Sequence, residues 1–406
     1  MRIVITPDSF KECMTAKEAA DAIELGVKKV IPDAVCIKVP MADGGEGTTH
    51  SLVNATNGQL YQVEVLGPLG EPVSASFGLL GDGKTAVLEM ASASGLHLVP
   101  RQQRNPLITT TYGTGQLIKA ALDKGAKHLV IGIGGSATND SGAGMFQALA
   151  GRLLDQDGNE LPFGGGSLER LHTIDVRKLD PRLTEVNVEV ACDVTNPLTG
   201  NNGASYVFGP QKGATPEMVK QLDNNLKHYA KIIKEQVGKK VDQVLGAGAA
   251  GGLGAGLIAF LSAKLVKGVE LVIQHTKLDQ YLKDADYVIT GEGRIDGQTV
   301  YGKTIFGIST LAKCYQVPVI ALVGSIGEGA EVLYDHGLTA MFSILSNICT
   351  VTEALEAGQE NLISASENIA RLIRILVYAI NMMAYFLYKM RLTVRNQNVI
   401  LQLLAS

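Results

Sequence analysis

The chain has 406 residues, a length that suits two or three domains and leaves ample room for a buried core. Its 36 Lys and Arg against 40 Asp and Glu give a formal net charge of −4, so no nucleic-acid partner is expected. Glycine accounts for 46 residues, roughly 11% of the chain against a usual share of about 7%. That profile is typical of an α/β enzyme with many backbone turns around a small polar ligand.

The cysteines and the apolar runs indicate a cytoplasmic protein. The five cysteines lie far apart and form no C-x-x-C pair, so neither a zinc site nor a disulfide framework is expected. The N-terminus resembles a buried strand and not a signal peptide. The longest apolar run near the C-terminus, Ile375–Tyr388, is too short to span a membrane and is followed by basic residues. We therefore expect an amphipathic docking helix there and no stable membrane insertion.

A strand–loop–helix pattern recurs towards both ends of the chain. Short apolar runs that predict buried strands occupy Arg2–Thr6, Ala34–Pro40, Ala285–Ile289 and Val317–Val323. Thr15–Val30 has apolar residues at helical spacing, and Thr15 and Glu18 have the spacing of a capping box. Another helical stretch runs into Asn54. Repeated βα units of this kind predict a parallel sheet with helices on both faces.

The middle of the chain has a different sequence pattern. Alternating residues predict antiparallel or mixed strands at Tyr61–Val65, Pro72–Leu80 and Thr85–Met90, and further strands follow at His128–Ile133 and Val186–Cys192. We therefore predict a discontinuous first domain, residues 1–55 plus 268–376, an inserted α/β domain, residues 56–267, and an atypical tail, residues 377–406. The stretch Gly246–Gly256 is either a hinge or a place where helices pack closely through small residues.

Polar and glycine-rich segments follow the predicted strands. In an open parallel sheet, ligands bind outside the carboxyl ends of the strands, where loop amides and helix N-termini converge. In the first domain these segments are Asp8–Lys11, Asp43–Thr48, Gly291–Asp296 and Gly324-Ser325, and in the inserted domain the segment is Gly134–Gly144. Glycines let backbone amides approach phosphate oxygens, although Asp140 could simply cap the following helix. The glycine spacing matches neither a Walker A sequence nor a convincing dinucleotide fingerprint.

The acids and cations in these segments suit phosphate chemistry. Magnesium is held by one or two carboxylates plus phosphate oxygens, and cations neutralise charge on a transferred phosphoryl group. Candidate carboxylates are Asp8, Asp43, Glu46, Asp193, Glu292 and Asp296, and candidate cations are Lys11, Lys212, Arg294 and Lys303. The seven histidines are isolated and predict no metal site, and no G-x-S-x-G elbow supports a hydrolase.

Six segments, taken together and in order, resemble the bacterial glycerate kinase family, the type often called glycerate kinase I. They are Pro7–Lys11, Ala42–Gly47, Gly132–Asp140, Cys192–Leu198, Phe208–Ala214 and Thr290–Arg294 with Asp296, Gln298 and Thr299. The resemblance covers nearly the whole chain to about Leu376. It implies a flavodoxin-like parallel-sheet domain with a second, distinct domain, and ATP-dependent phosphorylation of D-glycerate to 2-phosphoglycerate, with 3-phosphoglycerate as the less favoured product.

The resemblance also implies roles for individual residues. ATP phosphates and glycerate are expected at Ser9, Gly44, Gly45, Gly134, Gly135, Ser136, Thr138, Asn139, Lys212, Gly291, Arg294 and Lys303. Arg294 or Lys11 would meet the glycerate carboxylate, and Asp8, Asp43 and Glu292 would hold Mg²⁺. Asp193 is the first candidate for orienting or deprotonating the substrate hydroxyl, and Asp296 is the second. Lys11, Asp193 and Asp296 are thus the expected catalytic residues.

The chain departs from the family pattern at two places. Glu12 stands where the family usually has glycine, and residues 377–406 continue beyond the point where family members tend to end. The tail could cover an apolar patch on this chain or on a second subunit, so a homodimer is possible. Two other functions stay open, namely a nucleotide or phosphate-sugar sensor without turnover and a dinucleotide oxidoreductase.

Overall fold

The computed structural model describes the backbone of residues 1–404. It describes side chains for residues 1–300 and 302–379 and for Met382, Met383 and Tyr385. Its strands are β1 (Arg2–Pro7), β2 (Val35–Lys38), β3 (Gln59–Leu66), β4 (Pro72–Leu79), β5 (Thr85–Glu89), β6 (His128–Gly132), β7 (Arg152–Leu154), β8 (Thr173–Asp175), β9 (Asn187–Ala191), β10 (Lys264–Val266), β11 (Tyr287–Ile295), β12 (Val319–Ile326) and β13 (Leu338–Ser343).

The helices alternate with these strands along most of the chain. They are α1 (Ala16–Val30), α2 (Thr48–Thr56), α3 (Ala91–Ser94), α4 (Tyr112–Asp123), α5 (Ala143–Ala148), α6 (Ala204–Phe208), α7 (Pro216–Ile232), α8 (Ala249–Leu261), α9 (Gly268–Thr276), α10 (Leu278–Leu282), α11 (Thr304–Cys314), α12 (Val332–Asp335), α13 (Val351–Glu356) and α14 (Gly358–Leu404). The predicted capping box is present, because Thr15 Oγ1 accepts from the Glu18 amide and Glu18 accepts from the Thr15 amide. The α/β class is confirmed.

The first sheet is parallel and has the order β13-β12-β11-β1-β2. Counted within this sheet, the strands run 2-1-3-4-5, which is the flavodoxin-like doubly wound order. The central strand β11 and its neighbour β1 pair Ile3 with Tyr287 through Pro7 with Gly291. Their carboxyl ends therefore lie side by side, although more than 280 residues of sequence separate them.

The second sheet is mixed and has the order β10-β9-β6-β5-β4-β3. Strands β5, β6, β9 and β10 are parallel, and the sheet continues beyond β5 with β4 antiparallel to β5 and β3 antiparallel to β4. The predicted mixed character of this region is confirmed. All strands of the second sheet fall between the two parts of the first, and the division of the chain at residues 55 and 268 stays a prediction.

A hydrophobic cluster joins the two sheets. It contains Val4 and Val288 from the first sheet, Val87 and Val130 from the second, and Leu52 from α2. Each of these side chains is buried. Burial of apolar surface from both sheets therefore holds the sheets together. This packing also fixes the loops at the strand ends that face each other.

Three strand predictions needed correction. β11 continues to Ile295 and β12 to Ile326, so Gly291–Arg294 and Gly324-Ser325 lie within strands and not in loops after them. Glycine lowers strand propensity, but paired registers such as Gly291 with Leu322 and Arg294 with Ser325 override that preference. The sequence also missed β13, which pairs with β12 and carries a register shift next to Val319.

The stretch Gly246–Gly256 packs closely against a loop of the second sheet. Ala250, Gly251 and Gly252 have left-handed backbone conformations at the start of α8. A Cβ at Gly251 would overlap the carbonyl oxygen of Thr138, and one at Gly256 would overlap that of Ser141. Close packing through small residues is therefore confirmed here.

The long helix α14 packs against α1 by its N-terminal part. Leu362, Ile369, Ala370 and Ile373 are buried in the cluster that α1 contributes to, and Arg374 donates to the carbonyl oxygen of Val30. Leu372 and Leu376 are exposed. The predicted docking segment Ile375–Tyr388 is helical in its backbone, and six of its fourteen side chains lie outside the described residues. No helix is long and apolar enough to cross a membrane among the residues described.

Glu12 adopts a left-handed conformation with φ of 63°. Only glycine takes this conformation without steric cost, so the glutamate side chain strains the backbone at this position. We expect Glu12→Gly to raise the free energy of unfolding by about 0.5–1 kcal/mol. Urea unfolding measures the change, and an unchanged or lower midpoint would contradict it.

Candidate active site

A cleft of about 910 Å³ lies where the carboxyl ends of the two sheets face each other. Loops after β1 and β2 form one wall, and loops after β5, β6 and β9 form the other. Nine of the predicted site residues line it, namely Lys11, Asp43, Gly44, Gly45, Gly134, Gly135, Ser136, Asp193 and Lys212. Residues that are far apart in the sequence thus share one cavity.

The loop after β2 is held tightly between the sheets. A Cβ at Gly268 would overlap the carbonyl oxygen of Asp43, and a Cβ at Gly44 would lie 2.6 Å from the Cβ of Ala191. Asp43 Oδ1 accepts a hydrogen bond from the Gly45 amide at 3.0 Å. This close approach of backbone segments is the reason for glycine at these positions.

Glu89 is a cleft residue that the sequence did not reveal. It is the last residue of β5, and its carboxylate accepts from the amides of Gly47 at 3.2 Å and Thr49 at 2.8 Å. The acid thereby caps the N-terminus of α2 from the opposite sheet. Its position at the end of a buried strand was the available signal, but the partner amides are 42 and 40 residues away.

The glycine-rich loop after β6 turns sharply at Gly135, which has a φ of 72°. Ser136 follows, and its Oγ accepts from the ammonium of Lys212 at 2.7 Å. Lys212 is only 2% exposed and also donates to the carbonyl oxygen of Thr138 at 2.7 Å. Burial lowers the pKa of Lys212 to about 7, with the charge of Asp140 acting in the opposite direction.

Thr138, Asn139 and Asp140 lie behind the cleft wall and are fully buried. The side-chain amide of Asn139 donates to Ser205 Oγ at 3.2 Å. Asp140 accepts from the amides of Gly142 and Gly144 at the start of α5, so its role as a cap is confirmed. It also accepts from the amide and hydroxyl of Thr111, both at 2.9 Å. These residues support the loop from behind.

Asp193 comes from the second sheet and faces the first. It follows β9, lines the cleft, and accepts from the Gly268 amide at 3.1 Å. Gly302, in the turn before α11, lies beside its carboxylate. Burial, with a further contribution from the negative charge of Asp43, raises the pKa of Asp193 to about 6. The carboxylate is thus held at the junction of the two walls.

The remaining predicted residues collect at the rim of the first sheet. They do not line the cleft and comprise Asp8, Ser9, Gly291, Glu292, Arg294, Asp296 and Lys303. Lys303 pairs with Glu292 at 3.3 Å and donates to the carbonyl oxygen of Arg294 at 3.1 Å. Arg294 is largely exposed and pairs with Asp296 at 3.3 Å. An exposed pair of this kind stabilises little.

Like charges crowd this rim. Burial and the charge of Asp43 raise the pKa of Asp8 to about 6. Burial raises the pKa of Glu292 to about 7, where Lys303 opposes the shift and Asp8 and Asp43 add to it. Among the described side chains, no three histidines, cysteines or acids stand close enough to hold a metal ion by themselves. The carboxylates of Asp8, Asp43 and Glu292 still suit Mg²⁺, because this ion takes one or two carboxylates and completes its coordination shell with phosphate oxygens and water.

Comparison with known proteins agrees with the geometry. The chain matches the model of the glycerate kinase family over residues 3–374. A glycerate kinase from Halalkalibacterium halodurans is 58% identical over 368 residues, which cover 91% of this chain and 97% of the relative. A glycerate 2-kinase from Escherichia coli is 54% identical over 370 residues, covering 91% and 97% of the two chains.

A solved structure shares the whole architecture. The crystal structure of a glycerate kinase 2 from Salmonella typhimurium superposes with a TM-score of 0.86 at 52% identity, covering 92% of this chain and 98% of that one. The family match ends at residue 374, so the C-terminal part of α14 lies beyond it. The resemblance drawn from the six sequence segments is therefore confirmed. The chain belongs to the glycerate kinase family and is, by that membership, a kinase.

Proposed function

We propose that this protein transfers the γ-phosphoryl group of ATP to D-glycerate and releases 2-phosphoglycerate and ADP. The observation that carries the proposal is the shared cleft, which puts a glycine-rich loop and a buried lysine on one wall and acids and Lys11 on the other. The name of the relative from Escherichia coli, glycerate 2-kinase, supports phosphorylation of the 2-hydroxyl.

The nucleotide phosphates would lie along Gly134, Gly135 and Ser136. The two glycines leave room for a ligand to approach the backbone, and Lys212 places a cation behind Ser136. Such a loop uses amide and hydroxyl donors together with one cation, which is how phosphates are commonly held. Thr138 and Asn139 would keep the loop in shape from behind and would not touch the ligand.

Asp8, Asp43 and Glu292 would hold Mg²⁺ from the first sheet. Burial, together with the neighbouring negative charges, raises the pKa values of Asp8 and Glu292, and a cation among these carboxylates would stabilise their charged forms. The bound ion would neutralise charge on the phosphate oxygens during transfer. Lys303, paired with Glu292, would orient that carboxylate.

Glycerate would bind between the walls. Lys11 lines the cleft, whereas Arg294 points its charge at Asp296 outside it, so Lys11 is the better partner for the substrate carboxylate. Asp193 would accept a hydrogen bond from the substrate hydroxyl and orient it towards the phosphoryl group. Since phosphoryl transfer needs mainly positioning and charge stabilisation, these few groups suffice.

A coupled ADP-release assay with and without D-glycerate tests the proposal. Glycerate-dependent ADP formation that requires Mg²⁺ supports it, and phosphorus NMR of the product identifies the hydroxyl that is phosphorylated. Nucleotide binding without turnover would instead favour a sensor. Hydride transfer to a nicotinamide cofactor would favour an oxidoreductase.

Removing the Lys11 ammonium should affect binding and not folding. We expect Lys11→Met to raise KM for glycerate or to lower kcat by at least about tenfold, while the free energy of unfolding changes by less than about 0.5 kcal/mol, as is usual for an exposed side chain. Steady-state kinetics and urea unfolding measure the two effects. Kinetics equal to those of the parent would show that Lys11 is merely solvated.

The C-terminal part of α14 should be dispensable for catalysis. Among the described side chains, Ile373 is the last buried residue of α14 in the cluster shared with α1, and the half-buried Val377 packs against that cluster. The predicted site residues all precede α13. We expect truncation after Leu376 to leave KM for ATP and glycerate unchanged, whereas solubility or oligomeric state can change because the exposed apolar residues are removed. A folded truncated protein without turnover would place the tail in the active site.

A further inference from the structure

Lys212 is a buried cation whose described partners are all uncharged. Its ammonium donates to Ser136 Oγ and to the Thr138 carbonyl oxygen, and none of the carboxylates described in the structure lies within ion-pair distance. An ammonium has three donors, so one is free for a ligand in the cleft. A buried ammonium without a counter-charge tends to lose its proton.

The surroundings of Lys212 are otherwise poor in charge. The negative charge of Asp140 acts on Lys212. The Asp140 carboxylate, however, already accepts four hydrogen bonds, from two backbone amides and from the amide and hydroxyl of Thr111. Arg104 lies on the other side and donates to the carbonyl oxygen of Gln211 at 3.3 Å. His97 and Lys11 line the same cleft.

We propose that Lys212 and Ser136 form an oxyanion subsite that takes up one proton when its ligand binds. The ligand is an oxyanion: a phosphate of the nucleotide, where the proposed function places it, or, if the test assigns it so, the carboxylate of glycerate in place of its contact with Lys11. Near pH 7 about half of the amine is neutral in the empty cleft, and an oxyanion beside Nζ supplies the missing counter-charge. The proton comes from the buffer and stays on Nζ while the ligand is bound. This inference deepens the proposed function and rests on it for the identity of the ligands.

The direction of the pH effect follows from the lowered pKa of Lys212, which is about 7. At pH 8 about a tenth of the free protein carries the proton, so binding takes up about 0.9 proton per site. At pH 6 about nine tenths already carry it, and uptake falls to about 0.1. Affinity for the oxyanion therefore decreases as the pH rises above about 7.

Titration calorimetry of the full chain in two buffers of different ionisation enthalpy measures this uptake. The probes are D-glycerate, ADP and inorganic phosphate, each alone. Phosphate groups themselves titrate near pH 6, so the uptake by the protein is the difference between the parent and Lys212→Arg with the same probe. A difference close to one proton at pH 8 with ADP and phosphate assigns the subsite to the nucleotide, and the same difference with glycerate assigns it to the substrate. Either result supports the proposal. A probe that binds with equal uptake at pH 6 and pH 8, or no binding of any probe, overturns it.

Variants show which group takes up the proton. Lys212→Met should abolish the uptake by the protein and weaken binding of the same probe, while His97→Gln, at another residue that lines the cleft, should keep the uptake. Lys212→Arg, with a permanent charge, should bind the probe without uptake, and it serves if the methionine variant fails to fold. Unchanged uptake in either Lys212 variant overturns the proposal. Turnover in the coupled assay is scored separately, so loss of the subsite and loss of the proposed function give different results.

Discussion

Replacing Asp193 by asparagine should leave a folded protein that binds ATP but turns over about 10²–10⁴ times more slowly, the range typical of losing a group that positions or deprotonates a hydroxyl. The fold should survive because the asparagine side-chain oxygen can still accept from the Gly268 amide, as Asp193 does at 3.1 Å. The lost charge would be the one at the junction of the two walls. Steady-state kcat, nucleotide affinity and a thermal melt together test this.

Asp296→Asn is the matched control for that experiment. Asp296 is the second candidate for the same role, but it lies outside the cleft, where it accepts from the Gln298 amide and pairs with Arg294. We expect this variant to retain at least about a third of the parent rate, since an exposed pair contributes little. If instead Asp296→Asn is inactive and Asp193→Asn is normal, the roles of the two acids must be exchanged.

The largest effect on stability is expected at Gly251. Its φ of 67° disfavours any side chain, and a Cβ there would overlap the carbonyl oxygen of Thr138 and lie 2.7 Å from the Cα of Asn139. Overpacking typically costs about 1–3 kcal/mol and the left-handed conformation about 1–2 kcal/mol. Gly251→Ala should therefore lower the free energy of unfolding by about 3 kcal/mol, measured by urea unfolding.

Gly125→Ala separates the two causes. Gly125 has a similar left-handed conformation, with φ of 86°, but a Cβ there would meet no atom within 4 Å. Only the backbone cost of about 1 kcal/mol should then appear. If both variants unfold at the same urea concentration, close packing between α8 and the loop after β6 contributes nothing. A Gly251→Ala variant that does not fold at all agrees with the expectation, provided that Gly125→Ala folds.

Much of the local structure could be predicted from the sequence. Helix α1 has a capping box and apolar residues at helical spacing, and both features act within a few residues of each other. The buried strands at the start of the chain and after Lys127 were visible as apolar runs for the same reason. Strand β13 was missed because it is short, with Thr339 and Ser343 among its apolar residues, and because its formation depends on pairing with β12.

The candidate site, too, could be predicted from the sequence only in part. Glycine-rich loops, acids and cations after strands are local signals, so the sequence predicted that these residue types would gather at strand ends. Which of them share the cleft was decided by the tertiary structure, since it depends on how the two sheets face each other. That arrangement brings Lys11 and Asp193 together and leaves Arg294 and Asp296 outside.

The sequence by itself determined the α/β class, the main strands and helices and the family, because periodicity, capping and ordered motifs are properties of neighbouring residues. Only the tertiary structure decided that Glu89 caps α2 across the cleft, that Asp140 supports a loop and does not line the cleft, and that Lys212 is buried beside Ser136. The contacts of Glu89 and Lys212 are hydrogen bonds between segments that are 40 to 76 residues apart. Those of Asp140 depend on its burial and on a loop that turns back towards its carboxylate. Such contacts produce no periodic pattern in the sequence, because each of them forms when whole helices, strands and loops pack together and does not depend on neighbouring residues in the chain.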